Sequence, residues 1–348
     1  MKIESYLGQY EANFYSEFVW EELKEADNKF FIIDKKVFGL YEKELSVLIQ
    51  DNPYFLVEAI EENKNVDKAL EVISEMVEMK SKRNTLLVAV GGGIVQDISA
   101  VVANILYRGI SWVLIPTTLL AQTDSCIGSK TSLNYKQYKN LLGYFYPPSK
   151  IYIHTKSVHS LEKKDYCSGL GEIMKCALMA GYNSFYESSR NVEALMNRQD
   201  DILLKEIQKA LMFKKGVIEI DEFDKNYRNI MNYGHTFGHA LESTSNYKIP
   251  HGQAVSFGMM IANQISFQRG HISEEMLQTI KSTLLKIVTP ELLRKEYLTG
   301  DAYLNVMKKD KKYTGNLHTC ILFTGDGVKR YADISDEEIV EAINNTFK

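Results

Sequence analysis

No apolar stretch in the chain reaches the roughly 20 residues that a membrane-spanning helix needs, although 45% of its 348 residues are hydrophobic. Cysteine is sparse: Cys126, Cys167, Cys176 and Cys320 are scattered without a CxxC pair, which removes zinc-finger and thiol-redox motifs. An excess of positive charge is missing too. Lys and Arg number 41 against 45 Asp and Glu, a formal net charge of -4, whereas a phosphate-backbone binder needs clustered basic residues. Neither a membrane nor a nucleic acid is therefore an expected partner, and basic residues of functional weight must act locally on a small anion. Repeats, low-complexity tracts and flexible linkers are absent. The opening MKIESYLGQYEANFYSEF carries too much charge for a signal peptide, so a cytoplasmic location is expected.

What is present reads as two architectures in succession, as the length alone favours. Short apolar runs at 29–34 (KFFIID), 85–90 (TLLVAV) and 112–115, the last stopped by Pro116, have the form of buried strands. A further run opens at Phe55, and KIYIHT closes the series. Helical spacing fills 65–80 and the segment IVQDISAVVANILYR. Strands alternating with helices predict βαβ units on a mainly parallel sheet, hence an α/β fold with a Rossmann-like domain over 1–157. The passage 119–145 is polar and contains glycine, without a clear period. Beyond it the spacing is mostly helical, at 162–181, 200–218, 234–245, 252–269 and 274–288, with a small hairpin near Thr319–Phe323. A mostly α-helical second domain is expected over 158–348.

Chemistry concentrates at 226–251, NYRNIMNYGHTFGHALESTSNYKIPH, which holds three of the seven histidines: His235, His239 and His251. Imidazole serves both metal ligation and proton transfer near neutral pH. The His235–His239 spacing resembles that of HExxH metalloproteases, but Thr236 stands where the glutamate base belongs. Metal and non-metal readings of the pair are both open on spacing alone. An oxygen donor could come from Glu172, which shares a helix face with Lys175; an ordinary exposed ion pair fits that spacing equally. At the other end, Gly91-Gly92-Gly93 between a strand and a helix suits a phosphate or dinucleotide cradle, or merely a tight turn, since GxGxxG is absent. Asp34 and Glu61, read as lying at strand ends, would suit ribose hydroxyls, and solvated loop residues fit each of them equally. Lys130, Lys139, Lys214, Arg228, Lys311 and Lys312, with Asp124 and Asn140 among them, could hold phosphate and carboxylate groups, but spacing does not select among 41 Lys and Arg.

Taken together, GGGIVQD, RGISWVLIPTTLLAQTDSCIGSKTSLN, KNLLGYFYPP, GLGEIMK, NYGHTFGHALE, HGQAVSFGMM and DKK resemble, in order and spacing, the sugar-phosphate cyclases. The likeness is strongest to the 3-dehydroquinate synthases and runs from about Asp34 to Lys312. It implies that the N-terminal domain binds NAD, through Asp34, Glu61, Lys64, the turn Gly91, Gly92 and Gly93, Asp97, Thr117 and Thr118, with Asp124 and Lys139 nearby. A zinc or cobalt ion would be held in the C-terminal domain by Glu172, His235 and His251. Substrate contacts carried over by motif are Asp124, Lys130, Lys139, Asn140, Lys175 and Lys214, then Arg228, Asn232, His239 and one of Lys311 and Lys312. Of these, Lys130, Asn140, Lys175 and His239, together with Glu172, are expected to act in catalysis. Arg108 corresponds to an arginine that reaches a neighbouring subunit's site, which implies a homodimer. The implied reaction converts 3-deoxy-D-arabino-heptulosonate 7-phosphate to 3-dehydroquinate and phosphate, by transient oxidation, elimination, reduction and intramolecular aldol closure, as a lyase of the shikimate pathway. The sequence departs from that pattern at Ser129, where a glycine is usual, and at Tyr138, Pro147-Pro148 and His154. These departures keep cyclases acting on sedoheptulose 7-phosphate or glucose 6-phosphate as alternatives, with a metal-dependent polyol dehydrogenase behind them.

Overall fold

The computed structural model describes residues 1–298, 300–308 and 317–347; Lys311 and Lys312 lie outside the described residues. The chain forms two compact units, the first made of Met1–Leu161 with Lys214–Phe223, the second of Glu162–Phe213 with Asp224–Lys348.

In the first unit β1 (Lys2–Ser5) and β2 (Gly8–Tyr15) make an antiparallel hairpin. They are followed by β3 (Lys29–Asp34), β4 (Tyr54–Val57), β5 (Leu86–Gly91) and β6 (Trp112–Pro116). A second hairpin, β7 (Lys130–Tyr135) and β8 (Tyr138–Phe145), precedes β9 (Lys150–His154). The main sheet runs β1-β2-β9-β6-β5-β3-β4, parallel throughout except for β1. Phe30 to Ile33, Leu87 to Val90 and Leu114–Ile115 are all buried, as in a sheet covered on both faces, which explains apolar runs without alternation. The Rossmann-like sheet expected from the sequence is present.

Its strand order also locates a binding crevice. From β3 the chain steps to β4 on one side and then to β5, β6 and β9 on the other, so the order reverses between β3 and β5. Ligands of open α/β sheets bind outside the carboxyl ends of the strands at such a switch point. There stand Asp34, the last residue of β3, and Gly91, the last of β5. The polar passage 119–145, expected without regular structure, contains β7 and β8: Thr131 and Leu133 point inward while their neighbours do not, a period of two too brief and too polar to stand out in sequence.

The second unit is helical, apart from an antiparallel pair, β10 (His318–Phe323) and β11 (Val328–Ile334), where a small hairpin was expected. Helices Lys163–Met179, Asp200–Ile220, His235–Thr244, His251–Gln268 and Glu274–Ile287 follow the predicted spans closely. Two of them are buried without interruption, from Tyr166 to Met179 and from Gly252 to Ser266, so they are core helices with no solvent stripe. Glycines let them touch backbone to backbone. A Cβ on Gly252 would lie 1.9 Å from Ser168 O, and one on Gly258 2.1 Å from Gly234 O. Helix His251–Gln268 is thus seated directly on the two elements that carry Glu172 and His235. Among the described residues no helix is long and apolar enough to cross a membrane.

Candidate active site

Glu172 lies in the middle of the buried helix Lys163–Met179, and its side chain is 0% exposed. Its Oε2 is 2.5 Å from the ammonium of Lys175, itself 2% exposed, so the exposed ion pair allowed by the spacing is ruled out. Its Oε1 has no hydrogen-bond partner. That atom faces Nε2 of His235 at 4.0 Å and Nε2 of His251 at 3.8 Å. A buried carboxylate oxygen without a partner is costly. A divalent ion with bonds of roughly 2 Å to each donor would satisfy all three atoms at once.

The two imidazoles are oriented for that use. His235 Nδ1 donates to the carbonyl of Tyr233 at 3.1 Å, and His251 Nδ1 lies 3.3 Å from Glu242 Oε1. A proton on Nδ1 of each ring would leave the Nε2 lone pair free, the arrangement seen when a metal-binding histidine gives its other N–H to an oxygen. Burial, helped by Lys175 and the two neighbouring imidazoles, holds the pKa of His235 well below its ordinary value. Burial acts the same way on His251, but the hydrogen bond and charge of Glu242, with Glu172 behind them, lift it above the ordinary value. His239 is 57% exposed, yet one nitrogen from each of the three rings lies within 4.8 Å of the others. The donor set of Glu172, His235 and His251, two imidazoles and a carboxylate, fits a divalent ion such as zinc, with the exposed imidazole of His239 beside it. Arg228 is buried on the turn Tyr227–Asn232, where Asn232 donates to Asn229 O at 3.1 Å.

In the first unit, helix Gly93–Ile105 begins directly after β5. A Cβ on Gly91 would sit 2.6 Å from Val95, and one on Gly92 2.7 Å from Thr118 Cγ2. The turn is therefore open only because side chains are missing from it, as a pyrophosphate cradle at a helix N-terminus requires. Thr117 Oγ1 is buried there without a partner. Asp34 accepts from Lys36 N at 2.8 Å, and burial raises its pKa despite backbone N–H groups nearby.

A chain of polar contacts ties the hairpin β7–β8 to helix Gly93–Ile105 and to the segment Glu61–Lys64. Lys64 pairs with Asp97 at 2.6 Å and donates to Asn140 Oδ1 at 2.7 Å. Asp97 accepts from Ser132 N at 2.9 Å, and burial raises its pKa against the pull of Lys64. Asn134 donates to Glu61 Oε1 at 2.8 Å and accepts from Asn140 N at 2.9 Å, while Lys139 stands 3.9 Å from Glu61. Separately, Lys214 pairs with Asp124 at 2.6 Å. Lys130 is exposed at the start of β7, and Arg108 is exposed on a left-handed turn. Glu242, Ser132 and Asn134 are not among the residues selected by motif. Only the position of Glu242, three residues after His239 on one helix, offered a signal.

Two family models match the chain, described as 3-dehydroquinate synthase N-terminal, over residues 54–168, and 3-dehydroquinate synthase C-terminal, over residues 169–313. A 3-dehydroquinate synthase of Clostridium tetani is 33% identical over 335 residues, 96% of this chain and 89% of that protein. The fold is similar to that of a 2-deoxy-scyllo-inosose synthase complexed with carbaglucose-6-phosphate, NAD+ and Co2+, with a TM-score of 0.87 at 23% identity over 99% of each chain. It is also similar to ValA, a 2-epi-5-epi-valiolone synthase from Streptomyces hygroscopicus with NAD+ and Zn2+ bound, with a TM-score of 0.84 at 23% identity, covering 97% of this chain and 96% of that one.

Proposed function

This chain belongs to the 3-dehydroquinate synthase family, and from that membership we propose that it is a carbon–oxygen lyase converting 3-deoxy-D-arabino-heptulosonate 7-phosphate to 3-dehydroquinate and phosphate. The carrying observation is the Glu172 carboxylate, buried with Oε1 unpartnered between the Nε2 atoms of His235 and His251. These three residues would hold a zinc or cobalt ion. When bound, NAD would take a hydride from the carbon bearing a ring hydroxyl and return it, and the metal ion would act as Lewis acid at that hydroxyl's oxygen.

The chain's own residues do the rest. Gly91 and Gly92 let the pyrophosphate of NAD approach the N-terminus of helix Gly93–Ile105, and Asp34 at the end of β3 and Glu61 in the turn four residues after β4 serve ribose hydroxyls. Lys214, Arg228 and Asn232 take the substrate's carboxylate, which cyclases acting on carboxylate-free sugars have no need to bind. Lys130, Asn140 and one lysine of the DKK motif act on the phosphate, whose departure needs positive charge at its oxygens. His239, the exposed imidazole of the three, moves protons. Holding the product of elimination in one pose makes the aldol closure effectively unimolecular. Because the hydride returns, turnover releases phosphate without net NADH.

A homodimer belongs to the same proposal. Arg108 projects from a turn at which Tyr107, Arg108 and Gly109 all have positive φ, pinned by Tyr107 Oη donating to Ser81 O at 2.9 Å. Leu70, Ile105 and Tyr144 leave half or more of their surface exposed, around a groove of about 210 Å³, and exposed apolar patches of this kind mark association surfaces.

A phosphate-release assay on the heptulosonate, sedoheptulose 7-phosphate and glucose 6-phosphate tests the assignment. Turnover is expected with the heptulosonate; activity confined to a carboxylate-free sugar, towards which the departures at Tyr138 and Pro147-Pro148 lean, would overturn it. Net NADH from a simple polyol would instead make the chain a dehydrogenase. His235→Ala is expected to lose bound metal, and His239→Ala to keep metal and lose rate.

A further inference from the structure

One carboxylate near the three imidazoles has no role in the reading above. Glu242 lies on helix His235–Thr244, its side chain 15% exposed, with Oε1 3.3 Å from Nδ1 of His251 and Oε2 4.0 Å from Nε2 of His239. It approaches His251 from the side opposite Glu172, which faces Nε2 of the same ring. A neutral imidazole carries one proton on either nitrogen. With the proton on Nε2, the ring would present a hydrogen to the ion; with it on Nδ1, the ring presents a lone pair. His251 opens helix His251–Gln268 directly after Pro250, and its Nδ1 meets the carboxylate of Glu242 where that of His235 meets the Tyr233 carbonyl.

We propose that Glu242 is a positioning residue of the metal centre: its carboxylate accepts the Nδ1 proton of His251, sets the tautomer and ring angle of that ligand, and raises its basicity. The proposal rests on His251 being a metal ligand. It makes the site asymmetric, one histidine fixed by a backbone carbonyl and the other by a carboxylate. The same carboxylate links a ligand to the imidazole assigned to proton transfer.

Zinc affinity of the metal-free protein, measured by competition with a chromophoric chelator, tests this without recourse to turnover. Glu242→Ala leaves the Nδ1 proton without an acceptor and is expected to weaken zinc binding by roughly 10–100-fold, the usual effect of removing such a partner. Glu242→Gln keeps an acceptor oxygen but not the charge, and a loss of only a few-fold is expected. Neither change should add to the loss in His251→Ala, and the absorption bands of the cobalt form should keep the intensity of the unaltered coordination number. Unweakened zinc binding in Glu242→Ala overturns the proposal. So does loss in Glu242→Gln as complete as in His251→Ala, which would make Glu242 a ligand itself. Zinc binding undiminished in His251→Ala sinks the ligand assignment beneath it, a distinct result. Should Glu242→Ala not fold, Glu242→Gln with and without His251 decides: the few-fold loss must vanish when the histidine is gone.

Discussion

His154 ends β9 with 0% exposure, packed against the rings of Tyr15, Phe18 and Trp20. Burial pushes its pKa down to about 4. Since the unfolded chain takes up that proton near pH 6.5 and the folded one only near 4, the unfolded state binds more protons in between. The stability His154 contributes is therefore present above about pH 6.5 and lost as pH falls towards 4. A urea titration is expected to lose roughly 2–3 kcal/mol over that window from this group, and His154→Phe to flatten that part of the slope. Ser129 is a second departure with a physical account. It sits at φ +65°, where a glycine would be free of strain and a side chain costs about 1 kcal/mol. Its Oγ donates to the Glu222 carboxylate, which also accepts from Ser5 Oγ at 2.7 Å and Tyr6 N at 2.9 Å. Ser129→Ala should keep the strain and lose the bond, costing about 1–2 kcal/mol in denaturant unfolding. Ser129→Gly exchanges one for the other and should lie closer to the parent.

At the scale of elements, the ligand geometry depends on three helical pieces in backbone contact. Gly252 follows His251 and packs on Ser168 O, one turn before Glu172, while Gly234 precedes His235 and packs on the backbone of Val255. Gly252→Ala places a methyl 1.9 Å from that carbonyl, a clash no rotamer relieves. A stability loss of about 1–3 kcal/mol is expected from overpacking. Zinc affinity should fall alongside, because Glu172 and His251 are driven apart, and isothermal titration of the metal-free protein reads this directly. The spans of these helices were legible in the sequence because apolar residues recur in each over several turns with no proline inside them. Hairpin β7–β8 was not, because its inward positions are few and its strands carry the polar residues that meet Asp97, Lys64 and Glu61. The hydrogen bonds of Asn134, to Glu61 and to the backbone of Asn140, likewise became visible only once the hairpin was laid over that loop.

For the whole molecule, the proposal that Arg108 acts on a neighbouring copy has a distinctive consequence. Arg108→Ala and His235→Ala proteins should each be inactive alone. Mixed and allowed to exchange subunits, they should regain about a quarter of parent activity, since half the dimers pair one of each and one site in every such dimer is complete. No recovery, with exchange verified by mass, would place the arginine in its own subunit's chemistry or outside it. Lys214 belongs to the same scale: it lies in the helical span 200–218, within the half expected to form the second domain, yet the segment Lys214–Phe223 is part of the first unit, where Lys214 meets Asp124.

By itself the sequence determined the residue types and their local spacing: three glycines after an apolar strand, three histidines around a helix, and blocks specific enough to carry a family resemblance. It also determined the change from alternating strands and helices to helices alone, because hydrophobic period is a property of consecutive residues. Only the tertiary structure decided which distant groups share a site. Glu172 meets His235 and His251 because buried helices touch at glycines, Asp34 and Gly91 meet because the strand order reverses between β3 and β5, and Glu242 gains its partner because the chain folds back at Pro250. Local pattern fixes what a side chain can do; packing fixes what it faces.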